Sequence, residues 1–340
     1  MQKETINNEQ RQETSSQDIL KHKIKIIVPI CRAFHSMDDF SVLNNRCLGF
    51  QNEYIKGSFI IRHFNEYKNE ILNGFFSLQD FMNHSFWYGS TIKYQYLEFS
   101  FNIEYIDETK LKENERISES EWKSLLHSSM IDLCKDEYMI FVFAFFLAFP
   151  VSICFENGII LVDDKIYSHT DKFINSFDFE GKETIDFQKC WNYLHDLSKF
   201  KFGYSQNNAS RFVSILSKMN EVDDIITQIF YATMALEAVY ARGSSEGIAR
   251  QIIDKVKIFL NIEIDDKKLK QLYDIRSRYI HGDTDIELAF LNFDAVPGRE
   301  WDKLYALHFY VSEILYKTAK RIIEEDIAKI DFDYTLKITM

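Results

Sequence analysis

The chain of 340 residues has few of the residues that interrupt regular structure: 11 glycines and three prolines. That scarcity favours helices over a loop-rich β architecture. Cysteine is also scarce. The five, Cys31, Cys47, Cys134, Cys154 and Cys190, include no CxxC pair and are odd in number. No disulfide framework or zinc site is implied, and a reducing cytoplasm fits best. Positive charge is in deficit, with 40 Lys and Arg against 52 Asp and Glu, a net −12. A generally acidic surface repels nucleic acid. This argues against non-specific DNA coating and requires any RNA contact to come from a local basic patch. The sequence has no GxxxxGK phosphate loop, no HExxH, no GxSxG and no Rossmann glycine run. No metal or cofactor is expected. The first twenty residues are polar, without the apolar stretch of a secretory signal, and read as a disordered, frayed tail.

Apolar and aromatic residues are abundant. Hydrophobic residues make up 46% of the chain, and there are 30 Phe and 18 Tyr, the load of a well-packed globular protein. The length suits two domains on a prior of ~150 residues each. One uncharged run, Tyr138 to Phe155, has about the minimum length of a membrane span. Pro150 interrupts it, Glu156-Asn157-Gly158 follows, and no basic cluster flanks it. It reads as a buried helix followed by a strand pair, with Asn-Gly as a hairpin signal between apolar runs, and no membrane attachment is expected.

Periodicity divides the chain near residue 180. Ahead of it, residues 23–30, Gly57 to Ile61 and Thr91 to Ile106 read as strands. In the last of these, Ile92, Tyr94 and Tyr96 share one face, while Leu97, Phe99, Phe101, Ile103 and Tyr105 run one step out of phase. Such a slip suggests a bulge. Ser118 with Glu121 reads as a capping box opening a helix through Trp122, Leu125 and Leu126. Beyond 180, helical periods take over. Phe187 to Leu197 forms one helix and Arg211 to Met219 another. A third starts at Asn220, with Glu221, Asp223 and Asp224 near its positive end, and runs to Arg242, where Gly243 stops it. A fourth spans Glu246 to Leu260. A fifth, capped by Asp265 or Asp266, reaches Ile280, and the last runs from Arg299 to Glu325. The expected class is α+β: a tail over 1–20, a mixed antiparallel-sheet domain over 21–180 that senses or regulates, and an all-helical domain over 181–330.

The chemistry concentrates in LYDIRSRYIHGD, Leu272 to Asp283. Arg276 is a permanent cation, and His281 titrates near neutral pH. Together they supply what metal-free RNA cleavage needs: proton transfer at the 2′-hydroxyl and leaving oxygen, and charge stabilisation on the phosphate. On a regular helix they stand about 140° apart, so one continuous helix does not aim both at one phosphate. Either Gly282 ends the helix and lets the histidine swing out, or the arginine of one chain serves the histidine of another.

These residues carry a resemblance. Arg276, four residues, His281 and the trailing Gly282, preceded by Leu272 and Tyr273, are similar to the Arg-x4-6-His signature of the HEPN superfamily, and within it to the ApeA-like HEPN domains. Ala232 to Arg242 (ATMALEAVYAR) and Ser245 to Leu260 resemble two upstream helices of that family, so the likeness covers roughly Ile185 to Glu325. It implies a helical bundle that forms a homodimer, with the two Arg–His motifs meeting in a composite cleft. The implied activity is that of a metal-independent endoribonuclease acting on RNA as an anti-phage or abortive-infection effector, held off until a phage-derived trigger or regulatory partner releases it. His281 would move protons and Arg276 would hold the phosphate. Glu237, Ser277 and Arg278 would support them, with Glu237 orienting Arg276 and Arg278 either touching RNA backbone or bridging helices. Two positions depart from commoner family patterns. Ser277 stands where many members carry Asn, Asp or His, and Asp283 stands where a toxin branch carries tyrosine.

Each of these residues also has a structural reading. Arg276 can bridge to Glu237 while His281 caps its helix, which would leave a non-catalytic HEPN module that binds a partner protein or nucleotide. His308, among Leu304, Leu307 and Val311, reads as a core or interface residue. Lys267, Lys268 and Lys270 form either a solvated face or an RNA-recruiting patch. The aromatic N-terminal half is either core or a base-stacking platform.

Overall fold

The computed structural model describes residues 23–32, 45–51, 55–64, 95–105, 119–150, 153–175, 177, 183–198, 205, 207–222, 224–241, 247–282 and 298–332. The N-terminal tail, Ile92 and Tyr94, Ser118 of the expected capping box, Arg242 and Gly243, Ser245 and Glu246, and Asp283 lie outside these residues. The architecture is α+β, with antiparallel sheet in the N-terminal half and a helical region after it. The strands are β1 (Ile24–Arg32), β2 (Cys47–Gln51), β3 (Ile55–Phe64), β4 (Gln95–Tyr105), β5 (Ile153–Phe155), β6 (Ile159–Val162), β7 (Lys165–His169) and β8 (Phe173–Ile174). Helix α1 (Glu119–Ala148) lies between β4 and β5. After β8 come α2 (Phe187–Ser198), α3 (Asn208–Met219), α4 (Ile225–Tyr240), α5 (Ile248–Leu260), α6 (Asp266–His281) and α7 (Gly298–Glu324). The chain forms two compact units. One holds β2, β3, β4, β6, β7, β1 as far as Pro29 and α1 as far as Tyr138. The other holds the remainder of β1 and α1, β5, β8 and the six later helices.

In the first unit, β3 and β4 pair antiparallel from Ile55↔Tyr105 to Phe64↔Tyr96 without a break. The bulge expected where the alternation slips between Tyr96 and Leu97 is therefore absent from that pairing. Leu97, Phe99, Phe101 and Ile103 are buried, as their period of two requires. Phe59 packs against Phe50, Phe99 and Phe101, and Phe99 meets Tyr138 edge to face. These rings are core, not a stacking platform.

The Asn-Gly signal does not make a hairpin. β6 pairs with β1 from Ile24↔Val162 to Ile27↔Ile159, and β5 pairs with β1 from Ile30↔Phe155 to Arg32↔Ile153. Between the two runs β1 has two residues, Val28 and Pro29, and the other segment has three, Glu156 to Gly158. This is the count of a bulge. Pro29 explains its position, because proline cannot donate to the ladder. Gly158 is required there: a Cβ would lie 2.6 Å from the Ile27 carbonyl oxygen and 2.9 Å from Thr170 Oγ1. Its N–H donates to Thr170 Oγ1 at 2.8 Å. The hairpin is the next one, β6–β7. Its two-residue turn is Asp163-Asp164, both at positive φ (50° and 60°), the backbone of a type I′ turn.

The second unit buries the apolar end of α1, where Phe141 to Ala148 are all buried and Phe155 and Phe187 pack on Phe141. Among the described residues no helix is long and apolar enough to cross a membrane. Helix α4 is apolar around most of its circumference and touches α3, α5, α6 and α7, as expected for a helix surrounded by others. Tyr240 on α4 and Thr318 on α7 share a buried hydroxyl–hydroxyl hydrogen bond of 2.8 Å. The start of α4 differs from expectation. Asn220 is the C-cap of α3, with its backbone N–H and side-chain amide both turned to carbonyls of the last turn, and Asp224 caps α4 by accepting from the Thr227 N–H. Helix α3 begins earlier than expected because Asn207 and Ser210 form a capping box.

Candidate functional site

Helix α6 carries the Arg–His segment. At its start, the Asp265 carboxylate accepts from the Lys267 and Lys268 N–H groups. The backbone N–H of Asp265 donates to the Tyr310 hydroxyl of α7 at 2.7 Å. At its end, Gly282 adopts a left-handed conformation (φ 73°), and its N–H bonds the Arg278 and Tyr279 carbonyls. The helix therefore runs regularly through His281 and stops there, as the trailing glycine implied. The His281 side chain is exposed at this terminus.

Arg276 lies five residues back on a different side of the helix, against α4. Its Nη2 donates to Glu237 Oε2 at 3.4 Å, its Nη1 stands 3.4 Å from Glu237 Oε1, and the guanidinium carbon lies 5.8 Å from the centroid of Phe230. Both charged side chains are about three-quarters buried, with 27% and 23% of their surface exposed. The pair is long for a charge-assisted contact. Around it, polar atoms go unmatched: Arg276 Nε, the Tyr273 hydroxyl and Glu237 Oε1 are buried with no hydrogen-bond partner. Burial, and then the Glu237 carboxylate, push the Tyr273 phenol well up, with Arg276 acting in the opposite sense. The hydroxyl stays protonated and remains a donor. Two donors and one carboxylate oxygen without partners, side by side, form a polar site that a water, or a ligand group able to accept from Arg276 and Tyr273, would complete.

The supporting residues separate. Ser277 and Arg278 line a groove between α6 and α7. Arg278, two positions from Arg276, is about 160° away around the helix, so the two arginines serve opposite sides. Glu237 pairs with Arg276, while among the described residues no hydrogen bond or ion pair joins His281 to Arg276. His308 is buried in α7 without a partner for Nε2, and burial pushes its pKa down to about 4; it is a neutral core imidazole at pH 7. Tyr273 and Phe230 belong to the constellation but were not singled out from sequence. Their spacing carried a signal: Phe230 is seven residues before Glu237 and Tyr273 three before Arg276, each on the face of its partner. Among the described residues, no group of three His, Cys, Asp or Glu could hold a metal ion. Comparison with family models, curated proteins and solved structures finds no match to this chain.

Proposed function

We propose that the protein is a metal-independent endoribonuclease of the HEPN class, acting as an anti-phage or abortive-infection effector. The observation that carries this reading is the end of α6: an exposed His281 on a glycine-capped terminus, with Arg276 held against Glu237 one turn and a half back. His281 takes the proton of an RNA 2′-hydroxyl as that oxygen attacks the adjacent phosphorus. The P–O5′ bond breaks, and the leaving oxygen acquires a proton. The products are a 2′,3′-cyclic phosphate and a 5′-hydroxyl. Arg276, kept in place by Glu237 and Phe230, neutralises the phosphate oxygens, and the Tyr273 hydroxyl adds a neutral donor beside it. Because the two groups diverge on one helix, the site is completed by a second copy, one chain's arginine serving the other's histidine. Ile280, half exposed beside His281, supports a contact at that end. The N-terminal half restrains the nuclease until a phage-derived trigger or regulatory partner appears.

The test is RNA cleavage with EDTA present. The wild type should cleave, and His281→Ala and Arg276→Ala should each lose about 10²-fold or more, as expected for groups that transfer protons or stabilise charge. Equal activity in all three would remove the assignment. In infected bacteria, expression of the wild type but not of His281→Ala should limit phage growth.

A second reading has its own observation. Arg276 is already committed to Glu237 and Phe230, as a purely structural arginine would be. On that reading the chain is a non-catalytic HEPN module that binds a protein or nucleotide. It would show no cleavage and no toxicity, yet form a folded dimer or hetero-complex.

A further inference from the structure

The cysteines have no part in the chemistry above, and the fold sorts them. Cys134 on α1 and Cys190 on α2 are buried, and burial pushes both thiols up, that of Cys190 to about 12. Neither is a reactive thiol. Cys47, exposed on β2, stands opposite Ile60 of β3. The other two stand opposite each other: in the β1–β5 ladder, Cys31 pairs with Cys154.

That register matters because of what it fixes. Directly opposed residues of an antiparallel pair share one face of the sheet, with Cα atoms about 4.5 or 5.5 Å apart according to the hydrogen-bond pattern. A disulfide spans Cα separations of ~4.4–6.8 Å, so either pattern suits one. The strand is also held from its other side, where β8 sets Ile174 opposite Cys154. Both cysteines belong to the second compact unit. The face they share is the one turned away from α1. Ile153 and Phe155, on either side of Cys154, are buried, and Phe155 packs on Phe141, Phe145 and Phe146 of α1. By the alternation of a strand, Cys154 takes the opposite face, and it is partly exposed there. A small oxidant can reach it. Its thiol donates to Glu156 Oε1 at 3.4 Å, a contact that the sulfur gives up when it reacts.

We propose that Cys31 and Cys154 form a reversible modification site, a cross-strand disulfide made under peroxide and opened by thiols. One sulfur, as its thiolate, attacks the peroxide O–O bond and becomes a sulfenic acid, and the departing oxygen leaves as water. The second thiolate attacks that sulfur, the S–S bond forms, and the sulfenic oxygen leaves as a second water. Two thiols are oxidised, one peroxide is reduced, and both thiol protons end in water. Exchange with a small dithiol reverses the step. Only three residue pairs hold β5 to β1 beyond Pro29. The bond would lock that short ladder and close the chain from Cys31 to Cys154 into a loop, which constrains the unfolded state. Neither Arg276 nor His281 takes part, so the inference survives the failure of the cleavage reading.

The experiment treats the full chain with hydrogen peroxide or with dithiothreitol. Remaining thiols are blocked with iodoacetamide, and the protein is digested with pepsin at low pH, where exchange is slow. Mass spectrometry of the unreduced peptides should find Cys31 linked to Cys154 in most of the peroxide-treated monomer, two hydrogens lighter than the separate peptides. Dithiothreitol should remove the link. The linked protein should melt about 4 °C or more above the reduced protein. Cys31→Ala and Cys154→Ser should each abolish that shift, and Cys47→Ser should keep it. The peptide map uses unmodified protein, so it decides the matter even where a variant fails to fold. Alkylation of both thiols after peroxide, a link from Cys154 to Cys47 or to a second chain, or a lower Tm in the linked protein would each overturn the assignment.

Discussion

Two arginine–glutamate pairs, one in each compact unit, show how differently the same chemistry is built. In the first, Arg62 donates to Glu98 Oε1 at 3.0 Å, the Ser100 hydroxyl donates to the same oxygen at 2.8 Å, and Glu98 is 4% exposed. In the second, Arg276 and Glu237 stand 3.4 Å apart, the carboxylate more exposed than Glu98 but the guanidinium less exposed than that of Arg62, with a buried Nε–H, a buried Tyr273 hydroxyl and Glu237 Oε1 unmatched. A buried carboxylate in a sheet is stable only when its lone pairs are filled, and Glu98 has been given donors. The Glu237 cluster leaves two donors and one carboxylate oxygen unmatched, the incomplete satisfaction expected at a site finished from outside.

Substitutions separate the two cases. The largest loss of stability is expected from Arg62→Ala, which removes the guanidinium hydrogen-bonded to a buried carboxylate and leaves it the Ser100 hydroxyl and the nearby charge of Lys25. About 3 kcal/mol should disappear from the unfolding free energy in urea titration, and a loss under 1 kcal/mol would mean that Glu98 is served elsewhere. His308 comes next. Its imidazole titrates near 6.5 unfolded and about 4 folded, so the unfolded chain holds the extra proton between those values. Stability is full above pH 6.5 and falls as pH drops towards 4, by up to ~3 kcal/mol. His308→Leu should flatten that stretch of the curve, and an unchanged slope would refute the assignment. Arg276→Ala should cost only about 1 kcal/mol, because the pair is long and its carboxylate is not fully buried, while lowering the proposed cleavage by about 10²-fold or more. A loss as large as that of Arg62→Ala would make the second pair structural like the first. The smallest effect is expected for Tyr273→Phe. Removing an unmatched buried hydroxyl should leave stability equal or raise it by about 0.5–1 kcal/mol, measured as a higher Tm, and a clear loss would mean that the hydroxyl has a partner in solution.

Local signals explain which elements could be read in advance. Asp265 caps α6 through its own carboxylate and Gly282 stops it through its own φ, so both ends were legible in the sequence. The alternation of Leu97, Phe99, Phe101 and Ile103 likewise disclosed the buried face of β4. Asn220 misled because an asparagine serves either helix end, and here the preceding helix uses it. Asn157-Gly158 misled because a turn and a bulge share their residues. The choice was made by β1, more than a hundred residues earlier, where Pro29 interrupts the ladder.

By itself, the sequence determined the six helices after residue 180 and several strands ahead of them, though not β2, β7 or β8, and that a permanent cation and a titratable imidazole share one helix about 140° apart. These follow from caps, periods and helix geometry, all of which act over a few residues. Only the tertiary structure decided that Arg276 meets Glu237 and Phe230, that the Tyr273 hydroxyl is left without an acceptor, and that Arg278 faces a groove shared with Lys303 of α7. These depend on which helix packs against which face. That is set by the burial of whole apolar surfaces across the chain, and no local pattern encodes it.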